Sequence, residues 1–485
     1  MSAMIDDSKY EAVIGLEVHA QLQTVSKLFV ADSAAFGGAP NTHISAITLA
    51  HPGTLPFMNK KAVEYAIRLG LACHCSIEKE NYFARKNYFY PDLPKGYQVS
   101  QHTAPICVGG YVTIPSADGP KDVILNRIHL EEDAGKSIHD QDDAYTYVDY
   151  NRAGVPLVEI VTDPVIHNAD DAYSYLTELR RLVRYLDVCD GNMEEGSMRC
   201  DANISIRPKG SNTLGTKVEV KNMNSIRNVK RAIEGEIKRQ IELTETGGAI
   251  VQETRSYDAA TNTSFPLRSK EEANDYRYFP EPDLAPFNFT DEFIDDIRQS
   301  LPALPEELVA RYTKELGLPE YDARVIVDDK STAQYFENII QHTDQYKAAA
   351  NWLLGPVKSY LNEKNIAADE FPVSAAAIAS IIALIQDGKT NFSIASSRLL
   401  PALIETPNEE PLALATKLNL LQNTDAGSIE TIVDEVLAKF PDKVAEFRAG
   451  KKGLMGMFVG EVMKASKGSA DPKVTNKLLA EKLAK

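Results

Sequence analysis

The residues most able to do chemistry are acidic and histidine side chains on strand faces. The run that begins at Ile14 and ends at Leu22 alternates strictly, which predicts a strand with Glu17 and His19 together on its polar face. Two polar groups at this spacing can converge on one ligand. An equally simple interpretation is the solvated face of an edge strand.

One further glutamate and one acidic cluster also offer ligand atoms. Glu159 interrupts the otherwise apolar run 157–161, where a carboxylate without a partner costs several kcal/mol. The cluster Glu131-Glu132-Asp133 ends another alternating run. Together with Glu17 these groups can supply the hard oxygen ligands that Mg²⁺ prefers. The alternatives are a buried salt bridge from Glu159 to an arginine such as Arg152, and a charged strand end.

A nucleotide site of the Walker A type is excluded. Asp133-Ala-Gly-Lys-Ser137 resembles the end of that loop, but Leu130 stands where the motif needs its first glycine. A second candidate is a strand, turn and helix, in which cations and amides precede a helix N-terminus able to attract anions. Its residues are Lys217, Lys221, Asn222, Asn224 and Ser225, with Ser225 as the expected N-cap. An ordinary strand-to-helix connection with solvated lysines remains the alternative.

Other motifs indicate what else the chain can and cannot do. Arg85-Lys-Asn-Tyr-Phe-Tyr-Pro-Asp92 places cations among aromatic rings, which suits contact with a nucleotide or a nucleic-acid end. Cys73-His-Cys75 lacks the spacing and the second pair of a zinc site. No amidase-type Gly-Ser-Ser-Gly-Gly-Ser run is present. Ammonia, if the protein uses it, must therefore come from elsewhere.

Composition limits the class of protein. The chain has 485 residues, a formal net charge of −17 and 5 cysteines at irregular spacing, which favours a reducing cytoplasm and argues against indiscriminate nucleic-acid binding. No signal peptide and no run long enough to span a bilayer are expected. From Arg448 onward, however, the sequence contains nine basic residues and only three acidic ones. They include Lys451, Lys452, Lys464, Lys467, Lys473, Lys477 and Lys485.

The same patterns divide the chain into three predicted domains. Residues 1–289 mix short alternating runs with Gly, Pro and Asn turns, which is typical of an α+β domain. Residues 290–410 have helical periodicity that breaks near 316–320 and at Gly388. Residues 411–485 are helical again, with Phe458, Val462 and Met463 at core spacing.

Several long motifs, in order, resemble the B subunits of aspartyl/glutamyl-tRNA amidotransferases. They are Val13-Ile-Gly-Leu-Glu-Val-His19, Arg85 to Asp92 as above, His129-Leu-Glu-Glu-Asp-Ala-Gly-Lys136, Asn151-Arg-Ala-Gly-Val-Pro-Leu-Val-Glu-Ile160, Met193-Glu-Glu-Gly-Ser-Met-Arg-Cys-Asp-Ala-Asn203 and Asp275-Tyr-Arg-Tyr-Phe-Pro-Glu-Pro-Asp283. The resemblance implies a cradle-shaped catalytic domain related to glutamine synthetase and guanidino kinases. An all-α helical domain and a helical tail domain that contacts tRNA would follow it.

The resemblance also implies an activity and partners. Such a protein uses ATP to phosphorylate the side-chain carboxylate of mischarged Glu-tRNA(Gln) or Asp-tRNA(Asn), and ammonia then forms the amide. The amidase (glutaminase), or A, subunit releases the ammonia, and the small C subunit completes a heterotrimer. A tunnel joins the two active sites. Which of the two tRNAs is the physiological substrate stays open.

Four residues of this chain fall on the family's metal positions, namely Glu17, His19, Glu132 and Glu159, and Lys86 falls near the reaction chamber. Strand alternation alone favours Glu131, which shares a face with His129, whereas the family match favours Glu132. We therefore expect Glu132, since a strand end need not keep its alternation.

Two other functions compete with this one. The chain can be a tRNA-binding or assembly protein with no chemistry of its own, in which case the three glutamates are structural. It can also be a free-standing carboxylate–amine ligase for a small molecule. The basic tail argues against the latter, because a small substrate needs no such surface.

Overall fold

The computed structural model describes residues 9–139, 141–269, 276–421, 426–466 and 470–484. Asp275, Lys467 and Lys485, which the motifs and the basic tail include, lie outside these ranges. The chain divides into two compact units, residues 1–304 and residues 305–485. In the described ranges, no helix is both long and apolar enough to cross a membrane.

The first unit is built on a 13-stranded sheet, which agrees with the α+β expectation. Its strands run in the order β15-β14-β13-β12-β1-β11-β8-β5-β4-β16, with β6 and β7 beside β8 and β2 beside β6. The strands of the unit, including two small ribbons (β9 with β10, β3 with β17), are β1 (Tyr10–Gln21), β2 (Ser76–Ile77), β3 (Glu80–Asn81), β4 (Ala84–Asn87), β5 (Tyr97–Ser100), β6 (Cys107–Val108), β7 (Tyr111–Ser116), β8 (Gly119–Glu132), β9 (Lys136–Ile138), β10 (Tyr147–Asp149), β11 (Pro156–Thr162), β12 (Met198–Pro208), β13 (Val218–Lys221), β14 (Glu253–Asp258), β15 (Thr263–Ser269), β16 (Phe279–Pro280) and β17 (Phe287–Asn288).

Strand β1 lies in the middle of the sheet, and its alternation explains why. Leu16, Val18 and Ala20 are fully buried in the hydrophobic core, and the side chains between them turn to the other face. Antiparallel pairing with β11 and β12 fixes both neighbours, because a slip of one residue would turn every apolar side chain away from the core. The solvated edge strand that the sequence left open is therefore excluded.

Four helices complete the first unit: α1 (Lys60–Ala72), α2 (Ala169–Tyr185), α3 (Ile226–Glu245) and α4 (Asp291–Gln299). Helix α3 begins after Ser225, whose Oγ accepts the Asn228 N–H at 3.2 Å, and the chain leaves it through Gly247 at φ 79°. The Ser225 cap matches the sequence expectation. Helix α4 packs on α1 and buries Ile297 in the core. The compact unit consequently extends to Leu304, beyond the boundary expected at residue 289.

The second unit is helical in the described ranges. Its helices are α5 (Pro305–Lys314), α6 (Glu320–Val327), α7 (Lys330–Ile340), α8 (Tyr346–Trp352), α9 (Lys358–Lys364), α10 (Ala375–Gln386), α11 (Phe392–Ile394), α12 (Leu400–Glu405), α13 (Pro411–Lys417), α14 (Ala426–Lys439), α15 (Pro441–Arg448), α16 (Met455–Ala465) and α17 (Pro472–Ala484). The breaks expected near 316–320 and at Gly388 are confirmed. Phe458 and Val462 are fully buried in a small core of their own, and Met463 packs against it.

The cap of α3 gives a first prediction. Replacing Ser225 with alanine should lower the free energy of unfolding of the first unit by about 1 kcal/mol, because the Asn228 N–H loses its acceptor. Ser225→Asn keeps a capping oxygen and should stay near the parent value. Urea unfolding followed by circular dichroism measures both variants. An equal loss in the two variants would mean that Ser225 acts through something other than the cap.

Candidate functional site

Acidic side chains from neighbouring strands meet on one face of the sheet. The register pairs Glu17 on β1 with Asp201 on β12, and His19 on β1 with Glu159 on β11. Glu159 in turn lies opposite His129 on β8. Side chains directly opposite one another are close neighbours, and like charges in such positions are destabilising. The crowding of acidic side chains on this face of the sheet therefore lowers the stability of the fold.

The first acidic group contains His19, Glu131 and Glu159, whose potential ligand atoms all lie within 4.8 Å of one another. His19 Nε2 lies 3.6 Å from Glu131 Oε1 and 3.5 Å from Glu159 Oε2. Burial opposes a charge on His19, but the hydrogen bond to Glu159 and the charges of Glu159 and Glu131 outweigh it and raise the pKa of His19 to about 9. A cation that took His19 as a ligand would have to displace this proton.

The second acidic group contains Glu17, Asp201 and Glu219, again within 4.8 Å. Lys221 Nζ donates to Asp201 Oδ2 at 2.6 Å and lies 3.5 Å from Glu219 Oε1. Burial, followed by the charges of Glu159, Glu219 and Asp201, raises the pKa of Glu17. One lysine thus faces three carboxylates, and the group keeps an excess of negative charge.

His129 shows that the first group suits a divalent cation. Its ring is 1% exposed, and neither ring nitrogen has a hydrogen-bond partner among the described residues. Its Nε2 lies 3.5 Å from Glu159 Oε2 and 3.7 Å from Glu131 Oε2. Buried ring nitrogens normally have a partner. Carboxylate oxygens with imidazole nitrogen form a donor set that fits Mg²⁺ or Mn²⁺, with the nitrogen favouring the softer of the two.

Glu132, the ligand expected from the family resemblance, lies elsewhere. Its carboxylate pairs with Lys95 and accepts the Val99 N–H at 2.9 Å. It lines a separate cavity of about 230 Å³ on the other side of the strand. Neighbouring residues of a strand point to opposite faces, and β8 keeps this alternation to its last residue. The placement therefore favours Glu131 over Glu132.

Glu159 does not form the salt bridge to Arg152 that the sequence allowed. Arg152 lies 3.6 Å from Asp133, and the arginine nearest to Glu159 is Arg127, at 3.8 Å. Burial works against a charge on Glu159, but His129 and His19 hold its pKa well below the usual range. Glu159 is thus a charged member of the group and not half of a simple ion pair.

A cleft of about 540 Å³ lies over the first group. Lys86 and Tyr88 line one side, and Lys221, Asn222 and Asn224 line the other. The cleft thus combines buried acids with cations and amides on both sides.

Two of the expected nucleotide-binding residues lie apart from this lining. Lys217 is exposed and precedes β13, while Ser225 caps α3. Asn222 takes the left-handed conformation, φ 65°, that asparagine tolerates in turns, and its side-chain amide donates to Ser256 Oγ at 2.7 Å. This bond fixes the turn that brings Asn224 to the cleft.

Sequence reasoning missed Asp201 and Glu219 of the second group, and it missed His129 beside the first. Asp201 had a usable signal, since β12 alternates buried and half-buried residues and shows Arg199, Asp201 and Asn203 on one face. Glu219 shares a face with Lys221 in the sequence. No local sequence pattern, however, shows that β12 pairs with β1 or that β13 pairs with β12.

Buried carboxylates flanked by lysines in one cleft are typical of enzymes that transfer phosphoryl groups. Comparison with known proteins identifies the family to which the chain belongs. A family model described as "GatB/GatE catalytic domain" matches residues 12–295, and one described as "GatB domain" matches residues 334–483. The chain therefore belongs to the family of B subunits of aspartyl/glutamyl-tRNA amidotransferases, as its motifs indicated.

Curated relatives agree over nearly the whole length. The B subunit of the aspartyl/glutamyl-tRNA(Asn/Gln) amidotransferase of Thermosynechococcus vestitus is 49% identical, with 98% of this chain and 96% of the relative covered. Proteins of the same name from Syntrophotalea carbinolica and Geobacter sulfurreducens are 48% and 49% identical, with 98% of this chain and 99% of each relative covered.

The opposite orientations of Glu131 and Glu132 give the second prediction. Glu131→Gln should weaken Mn²⁺ binding on the order of tenfold to 100-fold, because the first group loses a charged oxygen ligand. Glu132→Gln is the matched control and should leave the affinity within about twofold. Isothermal titration with MnCl₂ measures both variants. Loss of affinity in Glu132→Gln alone would contradict this prediction and identify Glu132 as the metal ligand, as the family match favours.

Proposed function

We propose that this chain uses ATP to activate the side-chain carboxylate of Glu-tRNA(Gln), of Asp-tRNA(Asn) or of both, and amidates it with ammonia to give Gln-tRNA(Gln) or Asn-tRNA(Asn). The observation that carries the proposal is the cleft, in which His19 and Glu131 of the first group and Asp201 of the second lie between Lys86 and Lys221. The catalytic domain is proposed to be a cradle of the glutamine synthetase and guanidino kinase type, formed mainly by residues 1–289.

The chemistry explains why such a cleft is needed. A carboxylate is a poor acceptor for ammonia because oxide would have to leave. Transfer of the γ-phosphoryl group of ATP to a carboxylate oxygen gives an acyl phosphate and ADP. Ammonia then attacks the carbonyl carbon, phosphate leaves with its electron pair, and the nitrogen loses a proton to give the amide. Shielding from water favours this attack over hydrolysis.

Each part of the cleft has a role in the proposal. Glu17, His19, Glu131 and Glu159 hold Mg²⁺, with Asp201 and Glu219 completing the second group. When bound, Mg²⁺ neutralises negative charge on the phosphates of ATP and on the transferred group. Lys221, Asn222 and Asn224 contact phosphate oxygens from one side, and Lys86 contacts the activated carboxylate from the other.

The ammonia is proposed to come from a glutaminase partner. All five cysteines are buried, and burial raises the pKa of each thiol, so none resembles an activated nucleophile. The amidase (A) subunit and the small C subunit would form a heterotrimer with this chain in the cytoplasm.

The tail is proposed to hold tRNA. We propose that residues 290–410 form a helical domain and that residues 411–485 form the tRNA-binding tail. Lys464, Lys473 and Lys477 are exposed, and Lys473 and Lys477 lie one turn apart on α17. By contrast, Lys482 pairs with Glu430 and Asp434. Lys451 is exposed too but pairs with Glu446, and Lys452 lies over the ring of Phe447. Lys464, Lys473 and Lys477 have no salt bridge among the described residues and are therefore the best placed to contact phosphates.

The third prediction tests the chemistry. In the assembled complex supplied with ammonium chloride, Glu159→Gln should lower tRNA-dependent ATP cleavage by on the order of 100-fold or more, because the first group loses the charge at its centre. The exposed Asp118→Asn variant carries the same chemical change outside the site and should keep the parent rate. Near-normal cleavage in Glu159→Gln, at an unchanged melting temperature, would leave the chain a binding protein without chemistry of its own.

The fourth prediction concerns the tail. Replacing Lys464, Lys473 and Lys477 together with alanine should raise the KM for mischarged tRNA. The slope of log KM against log salt should fall by about one unit per lost phosphate contact. A triple alanine variant of Lys347, Lys364 and Lys389 removes the same charge from exposed positions outside the tail and serves as control. Steady-state amidation at two salt concentrations measures both. Equal effects in the two variants would place the tRNA contact elsewhere.

A further inference from the structure

A row of aromatic rings leads from the surface to the first acidic group. Successive ring centroids along the row lie 6.0, 6.0, 6.1, 4.9 and 6.1 Å apart. In order, the rings belong to Tyr90, Tyr88, Tyr276, Tyr278, His102 and His129. The last ring reaches Glu159, because His129 Nε2 lies 3.5 Å from its carboxylate. We call these six residues the aromatic row.

Cations lie among the rings. Lys86 Nζ lies 5.0 Å from the centroid of Tyr276 and 5.6 Å from that of Tyr88. Further in, Arg127 Nη2 lies 3.3 Å from His102 Nδ1. Aromatic faces interleaved with cations are the pattern by which proteins hold single-stranded nucleic acid, with bases stacked on rings and phosphates paired with cations.

The outer end of the row is open, and the next ring inward borders the cleft. Tyr90 is 52% exposed and its neighbour Phe89 is 89% exposed. Tyr88 and Lys86 line the cleft over the acidic group. A flexible polymer end can therefore enter at Tyr90 and reach the cleft along the rings.

The two segments that carry the row are tied together. Strand β16 pairs with β4 through Phe279 and Arg85. The Asn87 side-chain amide donates to the carbonyl oxygens of Tyr276, at 3.2 Å, and Arg277, at 2.9 Å. Arg277 has φ 47°, a left-handed conformation that needs such support. Fixing both segments holds Tyr88 and Tyr276 in place before any ligand arrives.

We propose that the aromatic row binds the unpaired 3′ end of the aminoacyl-tRNA, with the terminal adenine stacked at Tyr88 and Tyr276. The amino acid is esterified to the ribose of that nucleotide, so this position delivers its side-chain carboxylate to the acidic group. The proposal rests on the proposed function and adds to it the residues that hold the substrate's reacting end.

The adenine of ATP could stack on the same rings. The proposed phosphate site for ATP, however, lies several strands away across the sheet from the aromatic row. Lys221 and Asn222 border β13, whereas Lys86 belongs to β4, and five strands lie between β13 and β4. A phosphate site at the β13 side leaves the β4 side for the other reactant. The aromatic row therefore belongs to the tRNA end.

The test compares Tyr276→Leu with Tyr276→Phe in the assembled complex, with Tyr173→Leu, a 43% exposed tyrosine of α2, as control. Stacking is worth about fivefold to 150-fold in affinity per base. Tyr276→Leu should raise the KM for mischarged tRNA within that range and leave the KM for ATP unchanged. Tyr276→Phe, which keeps the ring, and Tyr173→Leu should both resemble the parent.

A binding readout separates this proposal from the proposed function. Mischarged tRNA with 2-aminopurine as its terminal base should lose fluorescence on binding the parent complex without ATP, and Tyr276→Leu should abolish that quenching. A higher KM for ATP with an unchanged KM for tRNA would assign the row to ATP and overturn the proposal. Equal losses in the Leu and Phe variants, or an unchanged signal in Tyr276→Leu, would overturn it too. A parent complex that quenches the probe but cleaves no ATP would refute the proposed function and leave the row as a tRNA site.

Discussion

The register of the central strands is the constraint on which the rest of the site depends. Antiparallel pairing of β1 with β11 and β12 brings Glu17, Asp201 and Glu159 to one face of the sheet. Such crowding of carboxylates costs several kcal/mol without compensation. The cost is tolerated because the opposite face of the same strands is fully buried apolar core, and a shift of one residue would expose that core. The hydrophobic effect thus holds in place an arrangement that electrostatics alone would disperse.

The same alternation explains how one strand serves two cavities. Glu131 and Glu132 are consecutive, yet the first joins His19 and Glu159 while the second pairs with Lys95 in a separate cavity. Asp133 follows them and lines both cavities, held by Arg199 at 2.9 Å. The end of β8 therefore separates two polar cavities, and Glu131 and Glu132 line different ones.

The sequence predicts local features of this protein well and long-range ones poorly. The alternation of β1, the carboxylate in β11, the cap of α3 and the breaks in the helical unit all follow from short patterns. Asp201 and Glu219 could not be assigned to the site because their role depends on strand pairings that no local pattern records. The extent of the first compact unit is not readable from the sequence for a similar reason, since only the packing of helix α4 on α1 ties Ile297 to that unit.

The Glu131 case shows where physical reasoning and family resemblance differ in strength. Motifs identified the family correctly from the whole chain, but a motif that contains two adjacent glutamates does not say which one faces the site. Strand geometry does, because the side chains of consecutive residues point to opposite faces. The resemblance is thus the stronger guide to the family, and the alternation of a strand is the stronger guide to which side chains face the same cavity. The charge on the protein is also unevenly distributed between an acidic majority and a few clusters of cations. Because an overall charge of −17 repels phosphate, the exposed lysines of the tail and the cations of the cleft support the proposed contacts with tRNA.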